Sequence, residues 1–219
     1  MKKMSHFFKT TQGQFLGSIG LIIVLLFAYY FYATSDTPSE SAVDITVSQT
    51  DHVRGAKNGP VTLVVFGDFQ CPACGAWEPV VRQVLSDNKD TLKVVFRQFP
   101  LTQIHANALL AAKASEAAGL QGKFWEMHDI IYDKQEEWSR SLEAQSFFLT
   151  YATTLGLNTK KFTSDIGNKA IEDKILAEVK EGVRLGVQGT PTFFLNGKKL
   201  EVRDLASFNK AVRDAATVK

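Results

Sequence analysis

The sequence predicts an α/β domain with a block of helices inserted into its middle, carried behind one membrane-spanning helix. Three observations predict it. An uncharged apolar run opens the chain, two β-branched runs follow on either side of a helix-like segment, and helix formers then fill the chain up to a hairpin signal near its end. The 219 residues give room for one tether and one domain large enough to bury a core of its own.

The first element is the apolar run. No charge occurs from Thr10 to Ser35, and Phe15 to Tyr32 is long enough to cross hydrocarbon as one helix, the only form in which a single span satisfies its own backbone. Lys2, Lys3 and Lys9 precede it, while Asp36, Glu40 and Asp44 follow. The positive-inside rule then puts residues 1–14 in the cytoplasm, residues 15–33 in the membrane and the rest outside. A cleaved signal peptide is the competing reading. The run exceeds the roughly 7–15 residues of a signal core, and Tyr32-Ala33-Thr34-Ser35 has a bulky residue where cleavage wants a small one, so an uncleaved anchor is expected. No charged residue interrupts the run, which argues against a buried soluble helix, and there is no lipobox cysteine. Residues 34–50, rich in Ser, Thr and Asp, read as a mobile linker, and residues 51–219 as the domain.

Within the domain, Val61 to Phe66 has the continuous apolar character of a strand buried on both faces. Gly67 to Gln70 forms the exit loop, and a helix begins at Cys71 with Pro72 in its first turn, where a missing N–H costs nothing. Leu92 to Phe99 is a second strand, parallel to the first. From about residue 102 to 188 the chain reads as helices: Ala106 to Ala118, Phe124 to Tyr132, Leu142 to Leu155 and Ile166 to Leu185. Thr192 to Val202 is two strands about the turn Asn196-Gly197, and Arg203 to Val218 closes the chain as a helix. Phe124, Trp125, Phe147 and Phe148 are read as core, and the charges from Glu172 to Arg184 as a solvated helix face.

The net charge of +2, with acids and bases mixed, excludes a nucleic-acid surface. The chemistry sits in the only two cysteines, Cys71 and Cys74, spaced Cys-Pro-Ala-Cys. As a structural staple the pair would close too small a loop to stabilise much. Structural zinc needs four ligands, and His6, His52, His105 and His128 are scattered without paired spacing. A redox pair is left. Cys71 at a helix start faces the free N–H groups and positive dipole end that favour a thiolate, and Cys74 lies one turn deeper to resolve a mixed disulfide. Asp68 is read as an exposed residue capping the turn, with a proton relay as the lesser reading, His128 as packing or solvated surface, and His105 as lying near the rim of the site.

These residues resemble the DsbA-like oxidoreductases of thioredoxin fold, including the BdbD-like membrane-anchored ones of bacteria without a periplasm. The resemblance rests on Asp68-Phe-Gln-Cys-Pro-Ala-Cys74, Phe96-Arg-Gln-Phe-Pro-Leu101, Gln121 to Asp129 and Gly189-Thr-Pro-Thr-Phe-Phe-Leu-Asn-Gly197, with Pro79 at the helix kink, and it covers residues 51 to the end. It implies a thioredoxin-like fold with a central mixed sheet and inserted helices, and a cis bond before Pro191 that leaves the Thr190 backbone free for a substrate strand. It also implies active-site support by Pro72, Ala73, Thr190 and Pro191, with Asp68 nearby. Two departures stand out. Val65 occupies the place of a buried acid that passes protons to the resolving cysteine, and Pro-Ala lacks the histidine of the most oxidising relatives, so Cys71 is expected to be acidic through the helix terminus alone.

The expected function is an extracytoplasmic disulfide donor to exported proteins, anchored in a bacterial cytoplasmic membrane and re-oxidised by a DsbB-like membrane partner. An isomerase or reductase, and a non-catalytic chaperone or adaptor, are the alternatives. No isomerase-type dimerisation domain is visible, so a monomeric domain is expected, and no metal or organic cofactor is implied.

Overall fold

The structure, a computed structural model, describes residues 20–30 and 43–217. The chain divides into two compact units, residues 1–40 and 41–219. In the first, residues 20–30 form helix α1. The remainder of the expected span over residues 15–33 lies outside the described residues. Among the described residues no helix is long and apolar enough to cross a membrane.

The second unit is built on a five-stranded mixed sheet. Its strands are β1 (His52–Gly55), β2 (Val61–Gly67), β3 (Leu92–Gln98), β4 (Thr192–Leu195) and β5 (Lys198–Leu200), in the order β1-β3-β2-β4-β5. Only β2 and β3 run parallel, joined across helix α2 (Pro72–Asp87); the other pairs are antiparallel. Central β2 is apolar at nearly every position because both its faces are covered. Leu63 and Val65 enter the larger core, whereas Val64 and Phe66 join Val95, Phe99, Val187 and Phe194 in a smaller one on the other face. The insertion comprises α3 (Ala108–Gly119), α4 (Phe124–Asp133), α5 (Gln135–Trp138), α6 (Ala144–Thr154), α7 (Thr159–Ile166) and α8 (Lys169–Arg184). Helix α9 (Leu205–Thr217) closes the domain; Val218, expected at its end, lies outside the described residues. In the β4–β5 turn Asn196 and Gly197 both take positive φ, 47° and 77°, as a two-residue hairpin of this hand requires.

Four features differ from the sequence reading. Strand β1 was not expected: its four residues, His-Val-Arg-Gly, are too few and too polar to show periodicity, and pairing with β3 makes them a strand. Residues 43–50, expected in the linker, run along the domain. Val43 N donates to Gly197 O, Ile45 and Val47 pack on the smaller core, and Thr46 O accepts from Arg97. The expected helix Ile166 to Leu185 starts three residues late, as α8, where the Asn168 side chain accepts from Ala170 N; Ile166 instead ends the separate helix α7. Finally, the α8 charges are not all solvated. Glu178 is buried, receiving Gln98 N and Lys174, and Glu181 receives buried Arg97, which also grips Asp51. Helix α8 lies so close that a Cβ on Gly182 would meet Phe99 at 2.7 Å.

Candidate active site

Strand β2 ends at Gly67, and a tight turn delivers the chain to α2. Asp68 builds that turn: its carbonyl accepts Cys71 N at 3.1 Å and its Oδ1 accepts Gln70 N at 2.8 Å. The expectation of an exposed Asp68 is corrected here. It is 2% exposed, and Oδ2 also receives Leu101 N at 3.0 Å and meets His105 Nδ1 at 2.6 Å. It therefore ties the loop after β2 to the loop after β3, with His105 beside it at the rim. Gln135, in the helix that the sequence did not reveal, clamps the same turn from outside by donating to Phe69 O (2.7 Å) and Cys71 O (2.9 Å).

Cys71 is the N-cap of α2, with Pro72 in the first turn; Pro72 and Ala73 are exposed and both cysteines are buried and unbridged. Because β4 runs antiparallel to β2, with Thr192 opposite Phe66, the Gly189–Pro191 segment arrives beside Cys71. The Thr190–Pro191 bond is cis, and the Cys71 thiol donates to Thr190 O at 3.3 Å. The structure thus brings Cys71, Cys74, Thr190, Pro191 and Pro72 to one end of the sheet, with Asp68 behind them.

The two thiols differ sharply. Cys71 is held at about 5, first by the hydrogen bond from Cys74, against the opposing effect of burial, then by Thr190 and the N–H groups of Cys74 and Ala73. The Thr190 hydroxyl beside it is buried and without a hydrogen-bond partner of its own. The helix terminus is therefore one contributor rather than the sole cause of acidity, which corrects the expectation. Cys74 is pushed well up by burial and then by Cys71 itself. At neutral pH one thiolate is displayed at the front and one thiol is kept behind it.

His128 is 1% exposed, not surface, and is ringed by Phe69, Phe96, Phe124, Trp125 and Tyr132. Its Nδ1 meets Asp129 at 2.9 Å and Glu78 at 3.9 Å. Glu78, Asp129 and His128 bring ligand atoms within 4.8 Å of one another, but Arg82 and Arg54 already hold the two carboxylates, and guanidinium groups repel a metal cation. Glu78 was not singled out in the sequence; its spacing of four from Cys74 was the available signal.

Residues 47–214 match the family described as thioredoxin. The Na(+)/H(+) antiporter NhaA 1 of Salinispora arenicola is 41% identical over 164 residues, 74% of this chain. The chain spans about a quarter of the length of that relative, which is covered to 24%. Among solved structures, BdbD from Bacillus subtilis in its oxidised form superposes with a TM-score of 0.70 at 20% identity, covering 81% of this chain and 100% of that one. The thiol-disulfide exchange protein alpha-DsbA2 from Wolbachia pipientis gives 0.66 at 26% identity, covering 76% and 88%.

Proposed function

The chain belongs to the thioredoxin family, and on that premise we propose that it is a thiol–disulfide oxidoreductase that donates the Cys71–Cys74 disulfide to exported proteins. One observation carries the reading: Cys71 is held at about 5 while Cys74 behind it is held protonated. A thiolate so stabilised favours the reduced form, so the disulfide is the less stable state and passes readily to a substrate dithiol. A substrate thiolate attacks Cys71 and displaces Cys74; the second substrate thiol then attacks the substrate sulfur of the mixed disulfide, so the substrate disulfide forms and Cys71 leaves as its thiolate. Pro72 and Ala73 leave the approach to Cys71 open, Thr190 and Pro191 offer the facing backbone, and Asp68 holds the loop. The matching relatives of known structure include a thiol-disulfide exchange protein and BdbD, which agrees with this chemistry.

The same reading places the domain outside the cytoplasm, tethered by residues 15–33, with a DsbB-like membrane protein as its oxidant. It is supported by the uncharged run from Thr10 to Ser35 and the lysines before it. The deciding experiment equilibrates the protein with glutathione and reads the reduction potential of the pair. A value well above that of thioredoxin, towards roughly −120 mV, is expected; a value near or below about −270 mV, the range of thioredoxin, would overturn the donor direction in favour of a reductase.

A further inference from the structure

Cys74 must change its protonation whenever the disulfide opens or closes, yet it is 4% exposed and the strand position that faces it is occupied by Val65. Glu78 lies one helical turn further along α2, on the same face, and is 8% exposed. A cavity of about 10 Å³ has Val65, Cys74, Glu78, Tyr132 and Pro191 among its walls. A second of about 10 Å³ lies on the other side of Glu78, walled by Arg54, Arg82, Trp125 and His128. Each is the size that holds one water, and each has polar side chains to bind it. The second leads outwards, since Arg54 and Arg82 are 25% and 32% exposed.

Glu78 is also loosely held. Arg82 Nε lies 3.4 Å from its Oε1 but without hydrogen-bond alignment, and that nitrogen and His128 Nε2 are both buried without a partner. Burial, opposed by His128 and Arg82, pushes its carboxyl upwards. The groups facing it are Cys74 and Arg82 from α2, His128, Asp129 and Tyr132 from α4, and Arg54 from β1. Strands β2 and β3 contribute the apolar Val65, Val94 and Phe96.

We propose that Glu78 is the proton relay of Cys74, acting through one water in the inner cavity and exchanging with solvent through the outer one. The inference rests on the Cys71–Cys74 exchange proposed above. When a substrate thiolate attacks Cys71, the substrate–Cys71 bond forms as the Cys71–Cys74 bond breaks. The electron pair passes to the Cys74 sulfur, which takes the proton of the Glu78 carboxylic acid; the carboxylate then recovers a proton from solvent. In reverse, the Glu78 carboxylate takes the Cys74 proton, Cys74 attacks Cys71, and the substrate thiolate leaves. Glu78 is a positioning residue in this scheme: it acts through Cys74 and touches no substrate.

The test mixes the reduced full chain with an aromatic disulfide whose thiolate absorbs light. The first equivalent released reports attack by Cys71, and the second reports resolution by Cys74. In Glu78→Gln the first phase should be unchanged from pH 4 to 9. The second should slow by about one to two orders of magnitude near neutral pH and lose the acid-range bend of the wild-type profile, as removal of a positioned acid–base group requires. Superimposable second phases in the two proteins would overturn the relay while leaving the exchange reading standing. A wild-type protein that gives the first phase and no second would overturn both. The wild-type chain supplies an independent check that needs no variant. The Glu78 carboxyl and Cys74 Cβ carbon resonances should share a titration step, and independent single titrations would reject the relay.

Discussion

Two buried acidic clusters in this domain are finished in opposite ways. Between α8 and α3 both carboxylate oxygens of Glu178 and of Glu116 have a close partner. Glu178 receives Gln98 N and Lys174, each at 2.6 Å, and Glu116 receives Lys174 and Gln98 at 3.0 Å and meets His52 at 2.9 Å. Glu78, beside the cysteines, has two ion pairs at 3.4 and 3.9 Å and, among the described residues, no aligned hydrogen bond. Full partnering fixes a side chain in place and makes it part of the scaffold. Loose partnering beside a cavity leaves a group free to pass its proton to a neighbour.

The largest effect expected from breaking this contrast is in the α8 cluster. Lys174→Met leaves Glu116 and Glu178 buried without their shared cation and should lower stability by about 3 kcal/mol in urea denaturation. Both phases of thiol release should stay as in the wild type. A loss below about 1 kcal/mol would show that the cluster is not the scaffold its geometry describes.

The next effect is a pH dependence. Burial, opposed by Lys174, pushes Glu178 up to about 7 from 4.5. The folded state then binds that proton more tightly than the unfolded one, so this stability is complete below pH 4.5 and is lost as pH rises through 7. Glu116 works the other way. Against burial, His52 and Lys174 hold it below 4.5, so its contribution is present above that pH and fades as pH falls further. In the oxidised protein, whose two sulfurs do not titrate, the unfolding free energy should therefore peak in mild acid and decline by on the order of 2 kcal/mol towards pH 8. Glu178→Gln should flatten the decline.

Smaller still is the equilibrium effect of Glu78→Gln. Arg82 keeps Asp133 and His128 keeps Asp129, so stability at pH 7 should change by less than about 1 kcal/mol, and upwards. A marked loss would place Glu78 with the scaffold. The smallest effect sharpens the cysteine end. Thr190→Val removes the hydroxyl that helps lower Cys71, so the inflection of its alkylation rate, expected at about 5, should move up by less than about one pH unit.

How much of this was legible depended on whether the signal was local. Strands β2 and β3, the hairpin and α2 carry continuous apolar runs, an Asn-Gly turn and a Pro at a helix start, and each stands where its residues put it. Strand β1 and α5 are four residues each and owe their form to neighbours distant in sequence. Residues 43–47 looked like linker because the stretch from Ser35 to Gln49 is rich in Ser, Thr and Asp; only the covered face of the sheet makes Ile45 and Val47 count as core. At the site, the Cys-Pro-Ala-Cys spacing was plain and the burial of Asp68 was not, since Leu101 and His105 reach it from more than thirty residues away. Glu78 was hidden by the same limit, because its environment is assembled from α4 and β1.

The hydrogen bond from Val43 to Gly197 fixes where the chain enters the domain. Asn196 pairs with Thr62 at the start of β2, whereas Cys71 follows its finish, so the entry point and the sulfurs lie at opposite poles of the sheet. Whatever is joined ahead of Val43, whether a fusion partner or a coupling to a solid support, is therefore attached at the pole away from Cys71. A bead-bound form made through the amino terminus should display its sulfurs to the surrounding solution, ready to be assayed or to capture a partner.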